Sequence, residues 1–161
     1  LTLPISSAAL GVILNLSGLA AGAATIGCCC NMVGFAVASY RENRLGGLLA
    51  QGIGTSMLQV PNIVRKPLIW LPATVSSAVL GPVGTMIFHM ENNATGSGMG
   101  TSGLVGQIMT WQVMVPLDGP AATLLKILLL HFLLPTALTL AVSELMRKKG
   151  WIRYGDMKLD L

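Results

Sequence analysis

The stretch that decides the architecture is LGGLLAQGIGTSMLQVPNIV, residues 45–64. It carries no charge, yet it does not read as a helix at ease in lipid. Gln51, Thr55, Ser56, Gln59 and Asn62 interrupt it, and Gly46, Gly47, Gly52, Gly54 and Pro61 weaken a continuous helix. Polar groups facing hydrocarbon are costly, so such a segment must face protein or a wet cavity. Cations flank it: Arg41 and Arg44 before, Arg65 and Lys66 after. A further cluster, Arg147, Lys148, Lys149 and Arg153, lies near the end of the chain. Basic clusters gather on the cytoplasmic side of a membrane. If residues 45–64 crossed the bilayer, the first two clusters would lie on opposite sides. If the segment enters and returns, they stay together. Ten helical residues rise about 15 Å, half of a hydrocarbon core of about 30 Å, which predicts a tip near Gly52-Ile53-Gly54.

The surrounding sequence agrees with a membrane setting. Ten Lys and Arg and six Asp and Glu stand among 161 residues, 53% are hydrophobic, and the mean hydropathy is +0.71. Soluble domains carry about 25% charged residues. The expectation is an all-α integral membrane protein whose transmembrane helices accompany one or two re-entrant hairpins. Residues 1–161 read as a single membrane domain. The chain starts at Leu1 and has no signal-peptide pattern, so it reads as the C-terminal fragment of a larger protein.

Residues 1–40 are uncharged. A straight helix of about 36 residues would be about 54 Å long, so more than one simple span is expected there. Gly27 and Gly34 are candidate breaks, and Gly18–Gly22 forms a GxxxG pair. Residues 68–90 form a second span that starts at Pro67 and is kinked or broken at Gly81-Pro82. Residues 121–146 form the clearest span, bent at Pro135, with Lys126 snorkelling near one end. Crossing outward with 68–90 and back with 121–146 places the C-terminus and every basic cluster in the cytoplasm. Between those spans lies ENNATGSGMGTSGLVGQ, residues 91–107, which approaches from the outer side and dips toward the first hairpin. Two opposed polar breaks meeting near the midplane are how many solute sites are built.

Several chemistries are excluded. The cations lack interleaved aromatics, which argues against nucleic acid. GSGMGTSG lacks the strand–helix context of a phosphate cradle. Cys28, Cys29 and Cys30 lie in an apolar run and read as small packing residues. His89 and His131 are too isolated for a metal site, and His131 is expected to pair across helices. No catalytic residue, metal or cofactor is indicated. The candidate solute ligands are Gln59 and Asn62 in the first break and Glu91, Asn92 and Asn93 in the second. A carboxylate beside amides suits hydroxyl-rich ligands, because it offers acceptors and donors together. The alternatives are that Glu91 is an exposed helix end and that Gln59 and Asn62 satisfy freed backbone groups.

Residues 52–82, GIGTSMLQVPNIVRKPLIWLPATVSSAVLGP, followed by ENNATGSGMGTSGLVGQ, resemble the C-terminal half of phosphotransferase-system enzyme IIC proteins, and among them the perfringolysin-regulator-like group. The resemblance spans roughly residues 5–150, and 91–107 is its most specific part. It implies a dimeric protein of the bacterial inner membrane that binds and translocates a sugar between re-entrant hairpins. A soluble IIB domain would phosphorylate that sugar at the cytoplasmic face, with phosphate from phosphoenolpyruvate. The phospho-accepting residues would lie on separate IIA and IIB domains, so any enzymatic turnover belongs to those partners. Fructose- and mannitol-type members carry a Glu in the first hairpin, whereas this chain has Gln59. A neutral amide cannot act as a base, which keeps open a non-transporting membrane sensor or regulator of the same fold.

Overall fold

The computed structural model describes residues 7–159. Among these residues there is no strand, and the one isolated bridge pairs Gly18 with Asn92. The first helix, α1, covers Ser7–Ile13. Asn15 and Gly18 then take left-handed backbone angles (φ 47 and φ 60), and α2 runs unbroken over Gly18–Ala38. The break in the uncharged stretch therefore falls at 14–17 and not at Gly27 or Gly34. Those two glycines are packing positions instead: Gly34 lies against Thr139, and Gly27 faces Ser77. The Gly18–Gly22 pair is likewise not a helix face, since Gly18 only starts α2. Gly22 admits the Met90 carbonyl, which a side-chain carbon there would meet at 1.9 Å.

Helix α3, Tyr40–Leu49, bends at Arg44 (φ 52, ψ −150). It passes into a π turn, Ala50–Gly54, then through extended Thr55 into a 3-10 turn, Ser56–Gln59, and α4, Val60–Arg65. The helical run is interrupted at Thr55, three residues past Gly52. Thr55 caps the 3-10 turn by accepting a hydrogen bond from Met57 N at 3.2 Å. A second 3-10 turn, Pro67–Trp70, leads into α5, Leu71–Met86. The helix does not stop at Gly81-Pro82 but continues through them.

The Gly-rich stretch holds α6, Ala94–Ser97, and a 3-10 turn, Ser102–Leu104, before α7, Val105–Asp118. Finally α8, Pro120–Ile127, a π turn, Leu128–Leu133, and α9, Leu134–Lys148, form one long helix. The π turn stands just before Pro135. That proline has no N–H for His131 O, and its ring would strike the carbonyl four residues back, so a widened turn relieves both problems.

Three stretches are long and apolar enough to cross a bilayer: Gly18–Ala38, Pro67–Met86 and Pro120–Lys148. They pack together, α2 against both α5 and α9. One core joins Ile26, Cys30, Leu80, Met114 and Leu130; the other joins Phe35, Ile69, Ala73 and Met146 with Ile152 and Met157 of the tail. Thr139 donates to Ser76 at 2.8 Å across α9 and α5, the kind of interhelical hydroxyl bond that supplements packing in lipid. Leu124, Leu125, Leu128, Leu133 and Leu145 stay exposed along the last helix, where hydrocarbon would cover them.

The basic clusters meet at one end of this bundle. Arg41 pairs with Glu144 at 3.2 Å, Arg147 with the fully buried carboxylate of Glu42 at 3.2 Å, and Lys66 with Asp156. At the opposite end Lys126 reaches Asp118 at 2.6 Å and the Phe88 carbonyl at 2.7 Å.

Candidate functional site

The two polar breaks are assembled by different means. In the first, side-chain amides form a buried chain. Gln51 Nε2 donates to Ser39 Oγ at 2.9 Å, Gln59 Nε2 to Gln51 Oε1 at 2.9 Å, and Asn62 Nδ2 to Gln59 Oε1 at 3.0 Å. Gln51 and Gln59 are fully buried. Gln51 and Gln59 each donate and accept, while half-buried Asn62 donates at the end of the run, which is how a polar run avoids orphaned groups away from water.

In the second break two asparagine side chains and close backbone approach share the contacts. Asn92 is buried, donates to Thr25 Oγ1 at 2.7 Å and Gly106 O at 3.2 Å, and accepts from Asn93 N at 2.8 Å. Asn93 is the N-cap of α6 and accepts from Gly96 N at 2.9 Å. A side-chain carbon on Gly106 would strike Gly100 O at 2.1 Å, so only glycine allows the loop to fold onto itself there.

The tips of the two breaks touch. Thr101 Oγ1 donates to Gly52 O, and Ser102 Oγ to Gly54 O at 3.0 Å. Gly100 lies against Cys28, the middle residue of α2, so the second break reaches halfway along that helix. Beside the junction is a cleft of about 390 Å³, within the range of small-molecule sites. Gly54 to Met57 line it from the first break, Gly98, Met99 and Ser102 from the second, and Cys28, Asn31 and Met32 from α2. Trp70 forms a further wall, half exposed, with its Nε1 donating to Asn31 Oδ1 at 3.1 Å. Asn31 is held in turn, through Nδ2, by Gly27 O at 3.0 Å and Ser77 Oγ at 3.4 Å. A pinned indole face beside hydroxyls, an amide and backbone carbonyls can pack on the C–H face of a polar ligand while its hydroxyls are bonded.

The sequence-predicted residues take other places. Gln59 and Asn62 share the buried amide chain and turn toward the C-terminal tail: Gln59 Nε2 also donates to Met157 O at 2.9 Å, and Asn62 Nδ2 to Lys158 O at 2.8 Å. Asn92 and Asn93 brace the root of the second break. Glu91 is half-buried near Gly18, and among the described residues its carboxylate has no hydrogen-bond partner. None of the five lines the cleft, and the Gln59–Asn62 and Asn92–Asn93 pairs stand in separate networks. His131 does pair across helices: its Nδ1 lies 3.2 Å from Gln107 Nε2, which also donates to Cys29 Sγ at 3.4 Å. Among the described residues no group of His, Cys, Asp and Glu could hold a metal.

Sequence reasoning missed Asn31, Trp70, Glu42 and Asn43. A lone amide in an apolar helix was the available signal for Asn31, because such a group must find a partner. Trp70 carried none, since an indole beside Pro67 also suits a membrane interface.

A family model described as phosphotransferase system, EIIC matches residues 1–159. The chain belongs to the phosphotransferase system EIIC family. No curated protein and no solved structure matches it. As an EIIC family member with three apolar helices of spanning length, it is a multi-pass membrane component of a sugar phosphotransferase system.

Proposed function

We propose that this EIIC protein binds a sugar in the cleft between its two breaks and carries it across the membrane. The contact of Thr101 and Ser102 with the Gly52 and Gly54 carbonyls, halfway along α2, is the observation that carries this reading. In it, both breaks are re-entrant hairpins entering from opposite faces. Their irregular backbone is tolerated at depth because protein and cleft water cover it. Trp70 stacks on the sugar ring, and Asn31, Ser56 and Ser102 meet its hydroxyls. Gln59, Asn62, Asn92 and Asn93 hold the hairpins in register, and Gln59 and Asn62 become ligands only when the first hairpin opens. Glu91 is a further candidate ligand from the outer side.

The end bearing the basic clusters faces the cytoplasm in this reading, by the excess of Lys and Arg there. A soluble IIB domain docks on that face, and the protein works as a homodimer in the bacterial plasma membrane, as the family resemblance implies. The test is equilibrium binding of a panel of hexoses and hexitols to the full-length protein in detergent. Saturable binding is expected, weakened about tenfold by Trp70→Ala, a change of about 1.4 kcal/mol. Saturable binding without flux into proteoliposomes would favour the sensor. Absence of binding to folded protein would overturn the sugar site.

A further inference from the structure

The last residues described, 155–159, have no regular structure, yet few segments of the molecule are gripped so thoroughly by side chains. Asn43 Nδ2 donates to Met157 O at 2.8 Å, and Leu159 N donates back to Asn43 Oδ1 at 2.8 Å, a reciprocal pair like that between two strands. Gln59 Nε2 donates to the same Met157 carbonyl at 2.9 Å, and Asn62 Nδ2 to Lys158 O at 2.8 Å. Gly155 N donates to Glu42 Oε1 at 2.8 Å, and Lys66 pairs with Asp156. Glu42 and Asn43 stand on the descending limb of the first break; Gln59, Asn62 and Lys66 stand on or just after the returning limb. The tail therefore ties the two limbs together across their open end.

The character of these ties suggests a removable part. Ile152 and Met157 are the buried apolar anchors, while Trp151, Arg153, Tyr154, Gly155 and Lys158 are exposed. Met157 packs into the second core, but the bonds at Gly155 and Lys158 lie at exposed positions, and a short segment held this way at its edges opens more readily than the middle of a spanning helix. The amides they occupy are donors aimed at carbonyl oxygens, and a sugar hydroxyl can accept from the same donors.

We propose that residues 155–159 are an internal ligand, a displaceable strap that holds the first break shut at the basic end by filling the Asn43, Gln59 and Asn62 amide cradle. Its release separates the two limbs, opens a route from the cleft to that face, and frees the cradle to receive solute hydroxyls. This rests on the sugar-cleft reading, and two measurements keep the two ideas apart.

The first uses no sugar. Amide hydrogen exchange is followed in the full chain in nanodiscs, reading Gly155 and Leu159 against the middle of α2. The strap amides should exchange at least about tenfold faster than α2, and Asn62→Ala should speed them again without changing α2. Exchange of the strap at the rate of α2 would show that it leaves only when the bundle unfolds, and would overturn the proposal. The second follows association of the same hexose and hexitol panel with wild type, Asp156→Asn, which loosens the strap without touching the cradle, and a chain ended after Tyr154. Association should quicken about tenfold when the strap is weakened or removed, the lid being a step before binding. Binding that is unchanged in rate and affinity would overturn the strap and leave the sugar site standing. If no variant binds sugar, the sugar site fails and the exchange result alone decides the strap. Should the shortened chain not fold, Asp156→Asn carries the test.

Discussion

The two polar breaks face the same problem, irregular backbone inside an apolar bundle, and solve it differently. The first, residues 45–64, satisfies itself with side chains: Gln51, Gln59 and Asn62 in sequence, anchored on the tail. The second, residues 91–107, satisfies itself with close backbone approach, using glycines and one buried amide, Asn92. Side-chain ties can be exchanged for water or another partner one at a time. Backbone contacts through glycine cannot, because any added atom has nowhere to go. This contrast predicts that the second break is the fixed wall of the cleft and the first is the part able to move.

One carbon added to each break should have very different effects. Gly106→Ala should cost about 3 kcal/mol, because the new carbon meets the Gly100 carbonyl at 2.1 Å. Gly54→Ala should cost less than about 0.5 kcal/mol, its nearest neighbour being Leu49 O at 4.0 Å. Thermal unfolding midpoints in one detergent compare the two, and equal losses would sink the distinction.

A smaller effect separates the amides. Asn92→Ala removes a buried side chain from Thr25, Gly106 and Asn93, and should cost about 2 kcal/mol. Asn62→Ala, at a half-buried site that water can reach, should cost less than about 1 kcal/mol in the same unfolding assay.

The third concerns polarity at Gln59. Its Nε2 faces two acceptors, Gln51 Oε1 and Met157 O. An ionised carboxylate there would bring a third acceptor, so Gln59→Glu should be less stable than Gln59→Met by about 1 kcal/mol at neutral pH. A Glu variant as stable as wild type would show that the amide chain can reverse its direction.

The smallest effect is acid sensitivity of the tail. Burial raises the Asp156 carboxyl, but the hydrogen bonds from Lys66 and Arg153 N and their two charges outweigh it, and the net shift is downward. A carboxyl depressed on folding adds stability that is present above its unfolded value and lost as pH falls through the folded one. Exchange at Gly155 should therefore stay level from neutral pH to about pH 5, after correction for the intrinsic rate, and rise below about pH 4. Asp156→Asn should remove that rise. An identical acid response in the variant would place the sensitivity elsewhere.

Much of this architecture was legible in the sequence because a bilayer leaves few options. Charge-free runs of spanning length, and polar interruptions that cannot face hydrocarbon, marked the helices and both breaks, and the clustered cations predicted that one end would collect them. Break positions were less legible. Gly27 and Gly34 looked like hinges and are packing surfaces, while Asn15, an L-residue with φ 47, takes the turn. Local composition cannot distinguish a glycine that bends the chain from one that admits a neighbour.

The site divides along the same line. The polar residues of each break were visible because polarity in an apolar chain demands a partner. Which partner each found was a matter of distance in space. Gln59 meets a carbonyl 98 positions away, Asn92 a hydroxyl 67 away, and Trp70 an amide 39 away. Composition and patterning alone dictate a chain that is helical, membrane-embedded and twice interrupted, since all three stem from the cost of exposing polar groups to lipid. That the interruptions touch at mid-helix, that a cleft opens beside them, and that the tail bonds across one of them follow from packing alone, because they depend on which donors and acceptors it brings within 3 Å or so of each other.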